Sequence, residues 1–303
     1  MANVSIYIPA YNASEFLARS VESILSQTLP PDEILVIDDG SKDSTAEITS
    51  RYSRVTLIRH EKNLGLAAAR NTAFQLARNE LVASIDADCV VDSAWLATLV
   101  SHMDDSKLAG VGGRLIEGVQ CSVADRWRSA HMPQEWGLES IRDPIFIFGA
   151  NNLFRKSAVL EVGGYDESMR TNGEDADMCR RLRAQGWELA YDPAAKATHM
   201  RHDSVRSILD TYWRWLFFGR SDSPNRVSLP LILRHAFLGN VCYMFYGLTK
   251  SDLRAGRFEL IGLDLLTLFY FPYRDFRMWL TLLKNSAKSE GNRSSEKKSR
   301  LMT

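Results

Sequence analysis

Short apolar runs and longer amphipathic stretches alternate over the first hundred residues. "VSIYIP" is followed by "ASEFLARSVESILSQ", "EILVIDD" by "SKDSTAEITSRY", and "VTLIRH" by "LGLAAARNTAFQLARN", before "LVASIDAD" opens a fourth run. Runs this short and this rich in Val, Ile and Leu read as buried strands, and stretches with apolar residues every three or four positions read as helices. The alternation predicts βαβ units: an α/β fold with a mostly parallel sheet and helices on both faces. In such open sheets a ligand binds beyond the carboxyl ends of the strands, where the strand order reverses.

The acids fall at those strand ends. "VIDDGSKDST" puts Asp38 and Asp39 after the second strand, and "IDAD" puts Asp86 and Asp88 after the fourth. On extended backbone Asp86 and Asp88 point to the same side. Two carboxylates crowded against an apolar sheet need cations, hydrogen-bond donors or water. A hard divalent ion supplies that balance, and Mg2+ favours one or two carboxylates together with substrate phosphate oxygens. The competing reading makes Asp88 or Asp92 a cap for the helix "SAWLATLVSHM". A dinucleotide-binding turn is excluded, because the first strand runs into "PAYNAS" without glycine and "GVGGRLIEG" at 110–118 reads as a strand or bulge.

Composition narrows the partners. The chain has 303 residues, 45% hydrophobic and 24% charged, enough for one large α/β domain or one domain with an appendage. Lys+Arg and Asp+Glu stand at 37 each, a neutral balance that argues against nucleic acid. Cys89, Cys121, Cys179 and Cys242 form no CxxC pair and no zinc spacing, which fits reduced thiols in a cytoplasmic setting. "MANVSIYIPAYN" lacks the basic start and apolar core of an export signal.

Five motifs, "SIYIPAYNASEFLARSVESILSQT", "EILVIDDGSKDST", "NLGLAAARNTAF", "IDAD" and "GEDADMCRRLRAQGWELAYDP", resemble in type and order those of family 2 inverting glycosyltransferases. The resemblance spans roughly residues 3 to 202. It implies the GT-A nucleotide-sugar fold and a nucleoside diphosphate sugar donor, expected to be a uridine diphosphate sugar. Asp88 is then a ligand for Mn2+ or Mg2+. Asp86 contacts the ribose or sugar, Asp38 or Asp39 the base, and Pro9 and Tyr11 wall the base pocket. Asn63 and Arg70 join the donor site from "NLGLAAAR". The "GED" acids place the general base at Asp175 with Glu174 beside it. Acids Glu174, Asp175 and Asp177 at the start of a helix and Arg180, Arg181 and Arg183 near its end also suit the helix dipole alone. His199 matches a further metal ligand, better suited to Mn2+ than Mg2+, with His202 as the competing candidate. The acceptor is expected to be a saccharide or lipid-linked hydroxyl in bacterial-type glycan assembly. The alternatives are a catalytically silent nucleotide-sugar-binding protein and a nucleotidyltransferase, which would release pyrophosphate.

The expected organisation is a catalytic domain over 1–203, with a nucleotide-binding half at 1–105 and an acceptor and base half at 106–203. A helical region follows at 204–283 and a disordered basic tail at 284–303. "SILDTYWRWLFFGR", "LPLILRHAFLGNVCYMFYGL" and "FELIGLDLLTLFYFPYRDFRMWLTLL" are aromatic-rich, yet Arg234, His235, Asn240, Glu259 and Asp264 interrupt every window long enough to span a bilayer. The helices are read as lying in a membrane interface, or as packing on the catalytic domain or pairing in a homodimer. The expected location is the cytoplasm, at the inner face of the membrane.

Overall fold

The computed structural model describes residues 3–169, 172–218, 230 and 245–300. The chain divides into two compact units, Met1–His202 and Asp203–Thr303.

The first unit opens with the alternation read above: β1 (Val4–Ala10), α1 (Leu17–Leu25), β2 (Glu33–Asp38), α2 (Thr45–Ser50), β3 (Val55–Arg59), α3 (Leu66–Leu76) and β4 (Leu81–Ile85). It continues with β5 (Cys89–Val91), α4 (Trp95–Ser101), β6 (Leu108–Glu117), α5 (Val123–His131) and β7 (Ile141–Arg142). Then come β8 (Asn151–Arg155), α6 (Lys156–Glu161), α7 (Glu174–Ala184) and β9 (Glu188–His199). One sheet runs β3-β2-β1-β4-β8-β6-β9-β5, with β7 paired to β9. Every residue of β1, β2 and β4 is buried, as expected of strands covered on both faces. One face packs Val4, Ile6 and Ile8 against α1 and α4 through Leu17, Val21 and Trp95. The other packs Tyr7, Leu35 and Ile37 with Ala69, Phe74, Met178 and Leu182 of α3 and α7.

The sheet is mixed: its first half is parallel as expected, and β6 also pairs parallel with β9. β1, β2, β3 and β4 pair in parallel, but β8 lies antiparallel between β4 and β6, and β5 and β7 run antiparallel to β9. The cause is topological: the strand–helix–strand rhythm that enforces parallel crossovers stops after β4. The order still reverses between β1 and β4, which leaves a crevice beyond their carboxyl ends.

The backbone that sets Asp86 and Asp88 differs from the extended one expected. β4 ends at Ile85, and the Cys89 amide donates to the Asp86 carbonyl at 3.0 Å, closing a turn. Period-two alternation therefore does not govern this pair; the turn sets it. Nor does a side chain cap α4, whose N-cap is Ala94.

In the second unit, α8 (Val205–Phe218) is followed by α9 (Tyr246–Arg254) and α10 (Ile261–Arg300). Trp213 and Phe217 stack at 4.9 Å and gather with Phe271 in a small core. The Trp213 indole N–H donates to Asp275 at 2.8 Å, and the Arg274 guanidinium lies 4.4 Å from the Trp213 ring centroid while pairing with Asp210. Most of the expected helix over "LPLILRHAFLGNVCYMFYGL" lies outside the described residues. The backbone is helical to Arg300, where a disordered tail was expected from residue 284. A helix already nucleated by packed residues extends residue by residue without a new nucleus. No helix among the described residues is long and apolar enough to cross a membrane.

Candidate active site

A cavity of about 380 Å3 opens at the carboxyl ends of β1 and β4, and its wall includes Pro9, Tyr11, Asn12, Asp86, Asp88, Arg201 and His202. Its floor is built by stitching two strand ends together. Asn12 adopts a left-handed conformation, φ 50°. From there its amide donates to Ser41 Oγ and its side-chain oxygen accepts from the Lys42 amide, both at 2.9 Å. The Ala13 amide likewise reaches Thr45 Oγ1 at 2.9 Å. Gly40 is required at the tip of the second loop, because at φ +73° an added Cβ would lie 2.6 Å from the Lys62 backbone.

Asp88 meets His199 across the end of the sheet. β5 and β9 pair with Cys89 opposite His199, and the His199 Nε2 lies 3.0 Å from Asp88 Oδ2. The other ring nitrogen, Nδ1, lies 2.9 Å from Glu117 Oε2. Glu117 stands opposite His199 in the parallel β6–β9 register, and its second oxygen is buried without a partner. Burial opposes a charged imidazole, but Asp88 and Glu117 outweigh it and push His199 up to about 10. Burial likewise pushes the Asp88 carboxyl up, and the His199 ring overrides it, holding Asp88 at about 2. His202, the competing candidate, is exposed and lines the cavity.

Behind the wall sits a buried polar cluster. The Arg70 guanidinium reaches to 3.5 Å from Asp86 Oδ1 and 3.7 Å from Glu174 Oε1, and it lies over the Tyr165 ring at 5.5 Å. Gly149 passes so close that any Cβ there would overlap the guanidinium. Enclosure raises the Asp86 carboxyl, Arg70 works against the rise, and Asp88 adds to it. Burial and then the neighbouring Asp175 raise Glu174 to about 7, against the pull of Arg70. Asp175 accepts from the Gly149 amide at 3.0 Å and is half-buried. Asp177 is tied within α7 to Arg180 and to Arg181 at 2.7 Å.

The structure thus gathers Pro9, Tyr11, Asp86 and Asp88 on the cavity wall and sets His199 against Asp88. Asp38, Asp39, Asn63, Arg70, Glu174 and Asp175 do not line it. Asp38 is fully buried, accepts from the Ser41 amide at 2.8 Å and pairs with Arg59 at 3.1 Å. Asp39 accepts from the Leu64 and Gly65 amides at 2.8 Å each and faces His60 Nδ1 at 2.7 Å, so it holds the entry to α3. Sequence reasoning missed Glu117, Tyr165 and Arg201. An acid closing the strand "RLIE" was the one available signal for Glu117.

The glycosyl transferase family 2 profile matches residues 5–163, more than half of the chain. The chain belongs to that family. It is 29% identical over 238 residues to a pre-mycofactocin glycosyltransferase of Mycobacterium tuberculosis, a match covering 75% of this chain and 48% of the relative. A poly-beta-1,6-N-acetyl-D-glucosamine synthase of Staphylococcus epidermidis is 29% identical over 221 residues, covering 70% of this chain and 53% of the relative. The chain therefore spans about half the length of these curated relatives. Among solved structures, the mannosyltransferase PcManGT from Pyrobaculum calidifontis, in complex with GDP-Man and Mn2+, superposes with a TM-score of 0.58. That match has 18% identity and covers 94% of this chain and 86% of the other. GalNAc-T7 with UDP, GalNAc and Mn2+ gives a TM-score of 0.54 at 22% identity, over 67% of this chain and 44% of that one. At these identities the two structures show the GT-A fold.

Proposed function

We propose that the chain transfers a sugar, with inversion, from a nucleoside diphosphate sugar to a hydroxyl of a saccharide or lipid-linked acceptor, with a divalent ion at Asp88 and His199. The observation that carries this reading is the meeting of Asp88 and His199 at 3.0 Å beside a cavity placed where the strand order reverses. The donor set fits an ion: a carboxylate and an imidazole nitrogen converge, and Glu117 holds the far ring nitrogen as outer partners of metal-bound histidines do. The mixed O,N set suits Mn2+ and accepts Mg2+ less readily. Bound there, the ion would offset the charge that develops on a departing diphosphate.

The remaining roles fall to the chain's own groups. Pro9 and Tyr11 border the base, with Asn63 on the donor side. Asp38 or Asp39 contacts the base; Asp39 already accepts from the Leu64 and Gly65 amides. Asp86 accepts from the ribose or sugar and is steadied by Arg70. Asp175 takes the proton of the acceptor hydroxyl while that oxygen attacks the anomeric carbon opposite the diphosphate. Glu174 turns to Arg70 and Asp177 is spent on arginines, which leaves Asp175 as the candidate base of the three. The motif resemblance makes a uridine diphosphate sugar the expected donor; GalNAc-T7 is solved with UDP and PcManGT with GDP-Man, so a guanosine diphosphate sugar is the rival.

The test is a screen of the purified protein for thermal stabilisation and donor hydrolysis across nucleotide sugars with Mn2+. A donor that binds only the folded state raises the melting temperature. Stabilisation by one uridine diphosphate sugar only when Mn2+ is present is expected; equal response with and without the ion would overturn the metal assignment.

A further inference from the structure

Helix α10 faces the wrong way for a helix meant to stay in water. Turned inward are Leu263, Asp264, Thr267, Phe271 and Asp275, while Leu266, Phe269, Tyr273, Phe276, Leu280 and Leu283 face solvent. Phe269 is 75% exposed and Tyr273 52%. The six residues follow one another by three or four positions, so they form one stripe along the helix. Carboxylates are thus inside and large apolar side chains outside, the reverse of the usual order. A contiguous apolar patch of this kind marks an interaction surface.

The charges around the stripe identify what it meets. Between residues 261 and 284 both acids, Asp264 and Asp275, are buried, while Arg277 and Lys284 are exposed beside the stripe. Arg277 lies 5.8 Å from the Tyr273 ring centroid and donates to the Tyr273 hydroxyl at 3.2 Å, which holds an exposed cation beside the stripe. Beyond Lys284 the sequence brings Lys288, Arg293, Lys297, Lys298 and Arg300 against Glu290 and Glu296. We propose that this face of α10 docks on an anionic lipid surface, lying flat with its apolar stripe among the acyl chains and its bases at the headgroups. The proposal does not depend on the donor or acceptor assigned above.

A second copy of the chain fits the same face less well. The three-and-four spacing is that of a coiled-coil seam, but the positions flanking it carry Arg277 and Lys284 on one side and Leu265, Pro272 and Trp279 on the other. No acid is there to pair with the bases. Pro272 also lies within the helix and interrupts its amide ladder midway along the seam.

The experiment is co-sedimentation of the full chain with vesicles of equal parts phosphatidylglycerol and phosphatidylcholine, and with phosphatidylcholine alone. Binding to the anionic vesicles is expected, weakened by salt. Phe269→Ser with Phe276→Ser should reduce it by roughly tenfold or more, and Phe269→Leu with Phe276→Leu should retain it. Arg277→Glu with Lys284→Glu should abolish the preference for phosphatidylglycerol. All four side chains are solvent-exposed, and unchanged melting temperatures would show that the variants fold. Protein left in the supernatant at low salt, or the Ser pair binding like the parent, overturns the proposal. A dimer that the Ser pair splits, without vesicle binding, assigns the face to a second copy instead.

Discussion

The two units spend their side chains in opposite ways. In residues 3–202 the apolar faces of α1, α3 and α7 turn into the sheet, while Asp86 and Asp88 line one cavity and Arg70 and Glu174 form a buried polar cluster behind its wall. In the C-terminal unit Asp264 and Asp275 are inside, and a row of Leu, Phe and Tyr is outside. A buried charge is costly and persists where it is paired or used. An exposed apolar row is also unfavourable, and it persists where something else covers it. The contrast teaches that each unit's departure from the ordinary pattern marks its working surface: polar and enclosed in one, apolar and open in the other.

The strongest way to break this comparison is to remove a charge from the candidate site of the first unit. Asp175→Asn should lower transfer by roughly 10²-fold or more, as for a lost general base, and leave Mn2+-dependent donor affinity unchanged. Asp88→Asn should instead abolish the metal dependence of donor binding while the fold survives. Isothermal titration with donor, with and without Mn2+, alongside a transfer assay, separates the two. Near-native transfer by Asp175→Asn would move the base to another acid; loss of donor binding by that variant would place Asp175 in the donor site.

Next in size is the same side chain compared across the two units. Phe74 is 1% exposed, edge-on to Tyr7 at 5.8 Å, whereas Phe269 stands in solvent. Phe74→Ala should cost about 3–5 kcal/mol by urea unfolding. Phe269→Ala should stay within about 0.5 kcal/mol. A large loss at Phe269 would mean that the outward face of α10 is held by the chain itself, and the contrast would fail.

How much of this was legible beforehand follows from which forces are local. β1 to β4 and their helices follow from runs and periods within a few residues, and the acids at the strand ends mark the cavity mouth. The antiparallel insertion of β8 is a matter of long-range pairing, to which local periodicity is blind. The turn at Asp86 was hidden because "IDAD" continues an apolar strand without a glycine or proline to signal the break. Asp39 reads as an open acid in "VIDDGS", yet it is committed to the Leu64 and Gly65 amides 25 and 26 residues away. The stripe on α10 was visible as aromatic content, but which of its faces is outside depends on what the second unit packs.

A third test concerns the enclosed charge at Glu174, faced by Arg70 from α3, Asp86 from the end of β4 and Asp175 from its own helix. Burial lifts this carboxyl from 4.5 to about 7 in the folded protein, so the folded state holds a proton that the unfolded chain has released. The resulting stability is full below pH 4.5 and is lost as pH rises through 7. The loss amounts to at most about 3 kcal/mol at 1.36 kcal/mol per pH unit. Glu174→Gln should flatten the fall in urea-unfolding free energy over that window. An unchanged slope would show that Glu174 is ionised throughout and that Arg70 compensates it fully.

The smallest expected effect lies at Glu117, the residue that only the register of β6 on β9 brings to the site. Its carboxylate reaches His199 Nδ1 at 2.9 Å and touches no cavity wall, so it acts on an ion through the imidazole rather than directly. Holding Nδ1 fixes the ring's orientation and tautomer, with Nε2 aimed at Asp88. Glu117→Gln keeps the shape but weakens that hold, and Mn2+ affinity should fall by roughly 10- to 100-fold. Paramagnetic titration of Mn2+ in the presence of donor reads the affinity directly, without reliance on turnover. A purely structural role would lower the melting temperature and leave Mn2+ affinity in place, whereas a positioning role lowers the affinity at an unchanged melting temperature. If Glu117→Gln binds Mn2+ as the parent does while His199→Ala does not, the imidazole needs no outer partner. The charge gathered at the end of β6 would then serve the strand pairing rather than the site.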